Sequence, residues 1–152
     1  MALNTKATID ALQSHLLATG IFRRVNTHEP KNAPDTGLTA AMWVQSVRPS
    51  PNDSGLQKTT AGATYMVRIY NGMVNEPQDM IDPTITAAVD TVMTALSADF
   101  ELGGNARNID LLGQTGTPLE ATAGYVTIGS TMYRIMDIQI PVIHNDVWDQ
   151  SP

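Results

Sequence analysis

Apolar residues recur along this chain with two periods, one of three to four residues and one of two. The longer period is typical of amphipathic helices and appears in residues 5–19 and 82–100. Gly20 follows the first of these segments, where a left-handed cap would end a helix. In the second, Asp82 is the predicted N-cap and Pro83 the first helical residue. The sequence therefore predicts two helices.

The shorter period predicts strands. Alternating stretches occur at 21–29, from Leu38, at 59–70, at 106–113 and in a long hairpin over 124–148. The hairpin is expected to turn at Gly129-Ser130, since glycine in the first position suits a type II′ turn. The predicted fold is α+β, a single domain over residues 1–152, with two helices on one face of a mixed, mostly antiparallel sheet. The predicted order is α-β-β-β-α-β-β-β.

The last strand has an unusual apolar pattern. Tyr133 and Ile135 share one face, whereas Met136 and Ile138 begin an apolar row on the other. A bulge near Ile135, or burial on both faces, would explain the switch. Pro141 cannot donate a ladder hydrogen bond, which predicts that the strand ends at a sheet edge or beyond the sheet.

Composition narrows the class of protein. Charged residues make up 16% of the 152 residues and the net charge is −6, which argues against tight binding along a phosphate backbone. The chain has no cysteine, so it offers neither disulfides nor thiolate ligands. We see no secretory signal and no apolar run long enough to span a membrane, and expect synthesis in the cytoplasm.

No residue pattern indicates catalysis. His15, His28 and His144 are far apart in the sequence, and His15 and His144 are predicted to be ordinary, partly exposed histidines. The glycines between 113 and 116 lack the lysine and the following helix of a phosphate-binding loop. We therefore expect no enzyme, no cofactor and no metal site.

Two polar connections are the predicted contact regions. Residues 48–58 are expected to form a projecting hairpin loop, unless they are simply a disordered connection, and residues 113–124 a flexible loop. Trp148 near the polar C-terminus either anchors a neighbour or folds back on its own sheet. The candidate interface residues are Arg48, Asn52, Asp53, Lys58, Arg107, Asp110, Gln114, Thr115, Tyr133 and Trp148.

Residues 107–113 and 124–148 resemble the closing strands of tail terminator proteins of long-tailed (siphovirus) phages, of the actinobacterial-phage type. The order of elements resembles that family over nearly the whole chain. The resemblance implies a homohexameric ring at the head-proximal end of the virion tail, assembled in the host cytoplasm. Such a ring caps the tail tube and joins it to the head-side connector.

The resemblance also implies the partners: other copies of the chain, the tail tube protein and a head-side stopper or connector protein. DNA would be only cargo passing through the lumen, with no membrane involved. Six copies at −6 each give a ring of −36, and any part of that charge on the channel wall would repel DNA. The 48–58 and 113–124 segments would then contact the rings above and below.

Two other interpretations stay open from the sequence. The chain could be a head-closure, stopper or tail-completion protein of the same connector. It could instead be a small monomeric ligand-binding module that uses a sheet face lined by Trp43, Tyr65 and Tyr70.

Overall fold

The computed structural model describes residues 3–34, 37–73 and 77–151, and the side chain of Asn52 lies outside the described part. The elements in chain order are α1 Thr5–Ala18, β1 Arg24–Asn26, β2 Thr39–Pro49, β3 Lys58–Gly72, α2 Gln78–Ala98, β4 Asn108–Ile109, β5 Glu120–Ile128 and β6 Thr131–Asp149. The predicted α+β class and the order α-β-β-β-α-β-β-β are confirmed.

The six strands of the described residues belong to one sheet. Its order is β1-β2-β3-β6-β4, with β5 also paired to β6. β1 runs parallel to β2 and the other pairs are antiparallel, which confirms a mixed, mostly antiparallel sheet. β6 lies in the middle of the sheet, with β3 along one side and first β5, then β4, along the other.

Both helices pack on one face of this sheet, which we call the inner face. Leu12 of α1 and Ile85 of α2 are buried there against Val67 and Ile138 of the two central strands. Burial of each such side chain stabilises the fold by about 1.5–3 kcal/mol. The helices and the inner face therefore form the main core.

The second helix begins earlier than the sequence predicts. α2 starts at Gln78, so Asp82 is not its N-cap and Pro83 lies inside the helix. The additional turn buries Ile81 in the core, and Asp82 forms an ion pair with Arg134 at 2.9 Å between Oδ1 and Nε. Tertiary contacts thus extend the helix beyond the local capping signal.

The switch of apolar face in β6 reflects burial on both faces. The register between β3 and β6 is continuous from Tyr133 to His144, so there is no bulge near Ile135. Tyr133 and Ile135 pack with Ala41 and Tyr70 in a second cluster on the opposite, outer face of the sheet. Ile138, Ile140 and Val142, which follow in β6, belong to the main core on the inner face.

The prediction that Pro141 marks an edge or the end of the sheet is wrong. Pro141 lies inside β6, opposite Thr64 of β3. Its carbonyl accepts a hydrogen bond from Asp110 N on the other side, so the position of the missing N–H also faces that side. Pairing with β5 ends at Gln139 and pairing with β4 begins at Val142. The proline therefore sits in a gap between two partner strands and breaks no ladder bond.

The predicted hairpin turn is confirmed: β5 ends at Ile128, β6 begins at Thr131, and Gly129 has a φ of +65°. Two other strands are shorter than predicted. β1 keeps only three residues of 21–29, and β4 only two of 106–113. Each ends where the chain turns away from its single partner strand.

Candidate functional site

The predicted contact residues gather at one end of the sheet. We call this the distal end; it consists of the β2–β3 connection, residues 104–119 and the last residues of β6. Among the described candidates only Tyr133 lies elsewhere. The side chain of Asn52 is outside the described part, and the distal-end candidates are Arg48, Asp53, Lys58, Arg107, Asp110, Gln114, Thr115 and Trp148.

The β2–β3 connection is held by a network of hydrogen bonds. Arg48 belongs to β2 and Lys58 to β3, so the connection between the strands is shorter than the predicted loop of 48–58. Ser50 is buried; its N–H donates to Thr60 O at 2.7 Å and its Oγ to Asp53 Oδ2 at 2.7 Å. These bonds order the base of the connection.

An ion pair joins this connection to the chain before β4. Arg107 Nη1 donates to Asp53 Oδ1 at 3.0 Å and to Asn145 Oδ1 at 3.3 Å. The three residues come from three separate segments, and the pair is partly exposed. Exposed pairs contribute about 0.2–1 kcal/mol each, so this contact positions the segments more than it stabilises them.

Asp110 organises the start of the β4–β5 connection. Its carboxylate is almost fully buried and accepts hydrogen bonds from Gln114 N at 2.9 Å, from Thr115 N at 2.8 Å and from Thr115 Oγ1. Burial alone would raise the pKa of Asp110, but these hydrogen bonds outweigh it and leave the pKa below its ordinary value. The carboxylate is therefore ionised at neutral pH and serves as an internal anchor.

The two connections also contact each other. Arg48 Nη2 donates to Thr117 Oγ1 at 3.0 Å, which links the end of β2 to the β4–β5 connection. A cavity of about 280 Å³ remains between the segments, lined in part by Asp53, Arg107 and Thr115. The distal end is thus a set of mutually braced loops.

Two leucines stand out on this braced end. Leu56 at the tip of the β2–β3 connection is 97% exposed, and Leu112 in the β4–β5 connection is 85% exposed. Single exposed apolar residues are common on protein surfaces, but both of these leucines lie on anchored loops at the same end of the molecule. The distal end therefore exposes two large apolar side chains on loops that hydrogen bonds hold in place.

Trp148 and Lys58 lie beside these loops. Trp148 is part of β6 opposite Thr59, and 38% of its surface stays exposed. Lys58 Nζ lies 3.6 Å from Asp149 Oδ1. Both residues extend the distal end toward the C-terminus.

Tyr133 is placed differently from the other candidates. It is buried on the outer face, where its hydroxyl donates to Pro34 O at 3.0 Å and its ring meets Tyr70 edge-on. The outer face also carries Trp43, whereas Tyr65 is buried on the inner face. The aromatic trio of a ligand-binding face is therefore split between the two sides of the sheet.

An ion pair crosses the outer face between the central strands. Arg68 donates to both carboxylate oxygens of Asp137, at 2.6 and 3.0 Å, and its guanidinium lies over the Trp43 ring. The hydrogen bonds to Asp137 raise the pKa of Arg68, so the guanidinium keeps its charge.

We expect Arg68→Ala to destabilise the protein by about 1–3 kcal/mol, since it leaves Asp137 unpaired at a site that is only about a quarter exposed. Asp137→Ala should have a similar effect. The measurement is urea unfolding of both single variants and the double variant. A double variant as unstable as the sum of the two single ones would contradict coupling between the side chains.

The described residues contain no group of three histidine and acidic side chains arranged around a possible metal site. His144 is buried rather than partly exposed as predicted; its Nε2 lies 3.4 Å from the Tyr65 hydroxyl, and burial lowers its pKa. His15 is partly exposed as predicted and pairs with Asp99 at 2.9 Å. None of the helices in the described ranges is both long and apolar enough to cross a bilayer.

Sequence reasoning missed the two exposed leucines and the role of Ser50 as a buried brace. Leu56 and Leu112 could have been recognised, because each is a large apolar residue within an otherwise polar connection. Ser50 carries no such signal, since serine is an ordinary loop residue.

Comparison with known proteins shows a likeness in fold. No family model matches the chain, and no curated protein matches it. Among solved structures, the chain is similar to the sheath/tube terminator of an extracellular contractile injection system, PVC, determined by cryo-EM in the extended state. The TM-score is 0.50 at 11% sequence identity over 99% of this chain, which spans 60% of the length of the terminator chain. The protein therefore has a tail-terminator-like fold.

Proposed function

We propose that this protein is a tail terminator of a long-tailed phage. Copies of the chain form a ring, hexameric as in the family that the sequence resembles, which caps the tail tube and joins it to the head-side connector. The tail tube protein and the head-side stopper are its partners, and DNA passes through the lumen as cargo. The site of action is the head-proximal end of the virion tail.

The observation that carries this proposal is the braced distal end with its two exposed leucines, Leu56 and Leu112. Loops that dock onto another ring need apolar anchors held in a fixed position, because ordering a mobile loop on binding costs affinity. The fold shared with a sheath/tube terminator supports the same function. The low charge content suits flanks that are buried against neighbouring subunits.

The direct test adds the purified protein to polymerising tail tube protein from the same phage. We expect tubes that stop growing and carry a ring at one end in electron micrographs, with the ring mass measured on the isolated caps. If tube lengths are unchanged and no tube carries a cap, the protein is not a terminator.

The leucine anchors allow a sharper experiment. We expect Leu56→Ser and Leu112→Ser each to weaken capping of tubes roughly tenfold, the effect of removing one of the few side chains that carry most of an interface's binding energy. Thermal unfolding should be nearly unchanged, since both side chains are exposed in the protomer. The matched control is Leu17→Ser on α1, an exposed leucine away from the distal end. Equal loss of capping in all three variants would contradict a specific role for the distal end.

A further inference from the structure

The sheet ends in two open edges. β1 pairs only with residues 39–41 of β2, so the described residues place no strand beside positions 42–49 on that side. At the other end, β5 pairs only with β6, and within the described ranges no strand lies along its far side. Each edge presents backbone N–H and C=O groups that another strand could bind.

The hairpin fixes which groups of β5 face outward. Ile128 and Thr131 flank a two-residue turn, so they form a hydrogen-bonded pair, and odd-numbered residues of β6 point their backbone groups toward β5 and β4. Two observed hydrogen bonds support this assignment: Ile143 O and Pro141 O each accept one from the segment that contains β4. Even-numbered residues of β5 are thus bonded to β6. The outward-facing residues of β5 are Ala121, Ala123, Tyr125 and Thr127.

The same alternation of backbone hydrogen-bonding direction continues from β6 through β3 to the open edge at β2. The backbone N–H and C=O groups of even-numbered residues in β3 point toward β2, so Trp43 and Met66 form a hydrogen-bonded pair. The backbone groups of the residues on either side of Trp43 therefore point away from β3. A bulge between Val44 and Ser46 shifts this alternation by one residue. The outward-facing residues of the open part of β2 are Met42, Val44, Val47 and Pro49, and Pro49 offers only its carbonyl group.

The free edge of β5 has none of the devices that usually prevent unwanted pairing, whereas the open part of β2 contains one bulge, between Val44 and Ser46, and ends in Arg48 and Pro49. β5 contains no proline or lysine, and its single charged residue is Glu120 at one end. Residues 42–47 carry no charge, and Val47 is 44% exposed. The final residues of β2, 45–49, are all exposed. Two open edges on one molecule, of which the β5 edge lacks such devices and the β2 edge is uncharged over residues 42–47, favour an assembled state in which both are covered.

We propose that a second copy of this chain covers them: the free edge of β5 pairs with residues 42–49 of the next protomer. Strand direction alternates through β2, β3, β6 and β5, so two copies placed side by side in the same orientation bring β5 antiparallel to β2. The lengths match, because β5 spans 120–128. The contact is head-to-tail and can therefore close a ring. This inference rests on the terminator function proposed above.

The register is restricted as well. The side chains of two paired residues in an antiparallel sheet lie on the same face. At both edges, the residues whose backbone groups point outward have side chains on the inner face. Odd-numbered residues of β5 must therefore lie opposite Met42, Val44 and Val47. Placing Thr127 opposite Met42 keeps the end of β5 clear of β1 and sets Ala123 opposite Val47. The inner and outer faces then continue from one protomer to the next.

Cysteine cross-linking tests this contact, because the chain has no cysteine of its own. Ser46 and Thr122 are exposed and point to the outer face of their strands. In the expected register they are diagonal neighbours, about 7–8 Å apart. We expect the double variant Ser46→Cys/Thr122→Cys, treated with a flexible bifunctional thiol reagent in the presence of tail tubes, to give a ladder that ends at the ring size. The control pair Ser46→Cys/Ser97→Cys, with Ser97 exposed on α2, should give no ladder.

The possible outcomes separate the edge contact from the ring. Tubes capped by rings whose subunits do not cross-link would overturn the edge contact and leave the terminator proposal standing. Dimers formed by Ser46→Cys alone would show symmetric pairing of two β2 edges, which also overturns it. A protein that neither caps tubes nor cross-links would overturn both.

Proline substitution gives an independent measurement. Ala123→Pro removes an outward-facing N–H and leaves the ladder to β6 intact, so we expect a folded protomer whose ring formation falls at least tenfold. Ala123→Ser keeps the N–H and should form rings normally. Normal rings from a folded Ala123→Pro protein would contradict the proposed pairing. If Ala123→Pro does not fold, the cross-linking experiment is the deciding test.

Discussion

Asp110→Ala is expected to cost about 3–5 kcal/mol of unfolding free energy, because it removes three hydrogen bonds to a buried carboxylate and leaves Gln114 N and Thr115 N without their acceptor. The β4–β5 connection should lose its anchor at the same time, so capping of tail tubes should weaken as well. Urea unfolding at pH 7 measures the stability, and the tube-capping assay measures the function.

The matched variant is Asp110→Asn, which keeps one acceptor oxygen and should be less destabilised. The lowered pKa of Asp110 sets the pH dependence: the stabilisation is complete above the ordinary Asp pKa of about 3.9 and is lost as pH falls through the lower pKa of the folded state. Wild-type protein should lose this contribution in acid, whereas Asp110→Asn has none to lose. An equal acid dependence of both proteins would contradict the anchoring role.

Gly113→Ala is expected to destabilise the protein by about 2–4 kcal/mol, from a left-handed backbone and a steric clash together. Gly113 has a φ of +74°, and an added Cβ would lie 2.9 Å from Pro118 N and 3.1 Å from its Cα. Because these contacts are backbone atoms, the connection itself must move. Thermal or urea unfolding of the variant measures the cost.

Gly129→Ala in the turn between β5 and β6 separates the two causes. Gly129 has a similar φ, of +65°, but an added Cβ would meet no atom within 4 Å. It should therefore show only the backbone cost, about 1–2 kcal/mol. If both variants are equally stable, the close packing of Gly113 on Pro118 does not constrain the β4–β5 connection.

These two predictions concern a segment that the sequence described only as a flexible loop. Its ordering depends on Asp110, which directly follows β4 and accepts hydrogen bonds from Gln114 N and Thr115 N through its carboxylate. In the sequence that aspartate looks like the outward residue of a strand. Its function as an anchor becomes visible only when the backbone N–H groups it bonds are in place, and the flexibility of the remaining residues stays a prediction.

Pro141 and the start of α2 illustrate the same limit. The rule that proline marks an edge describes a regular sheet, and it fails here because β5 and β4 leave a gap opposite Pro141. Asp82 followed by Pro83 matches the local start signal of a helix, but α2 starts earlier, at Gln78, because burial of Ile81 and the contact of Asp82 with Arg134 favour a longer helix. Both errors concern contacts between residues far apart in the chain.

The sequence by itself determined the α+β class, the order of the elements, the hairpin turn at Gly129-Ser130 and the contrast between two polar connections and an apolar interior. These features follow from hydrophobic period and turn chemistry, which act over a few neighbouring residues. Only the tertiary structure decided that eight of the ten candidate contact residues meet at one end, that β6 is buried on both faces, and that β2 and β5 have open edges within the described residues. Those properties depend on which strands become neighbours, and strand order is set by the packing of the whole chain.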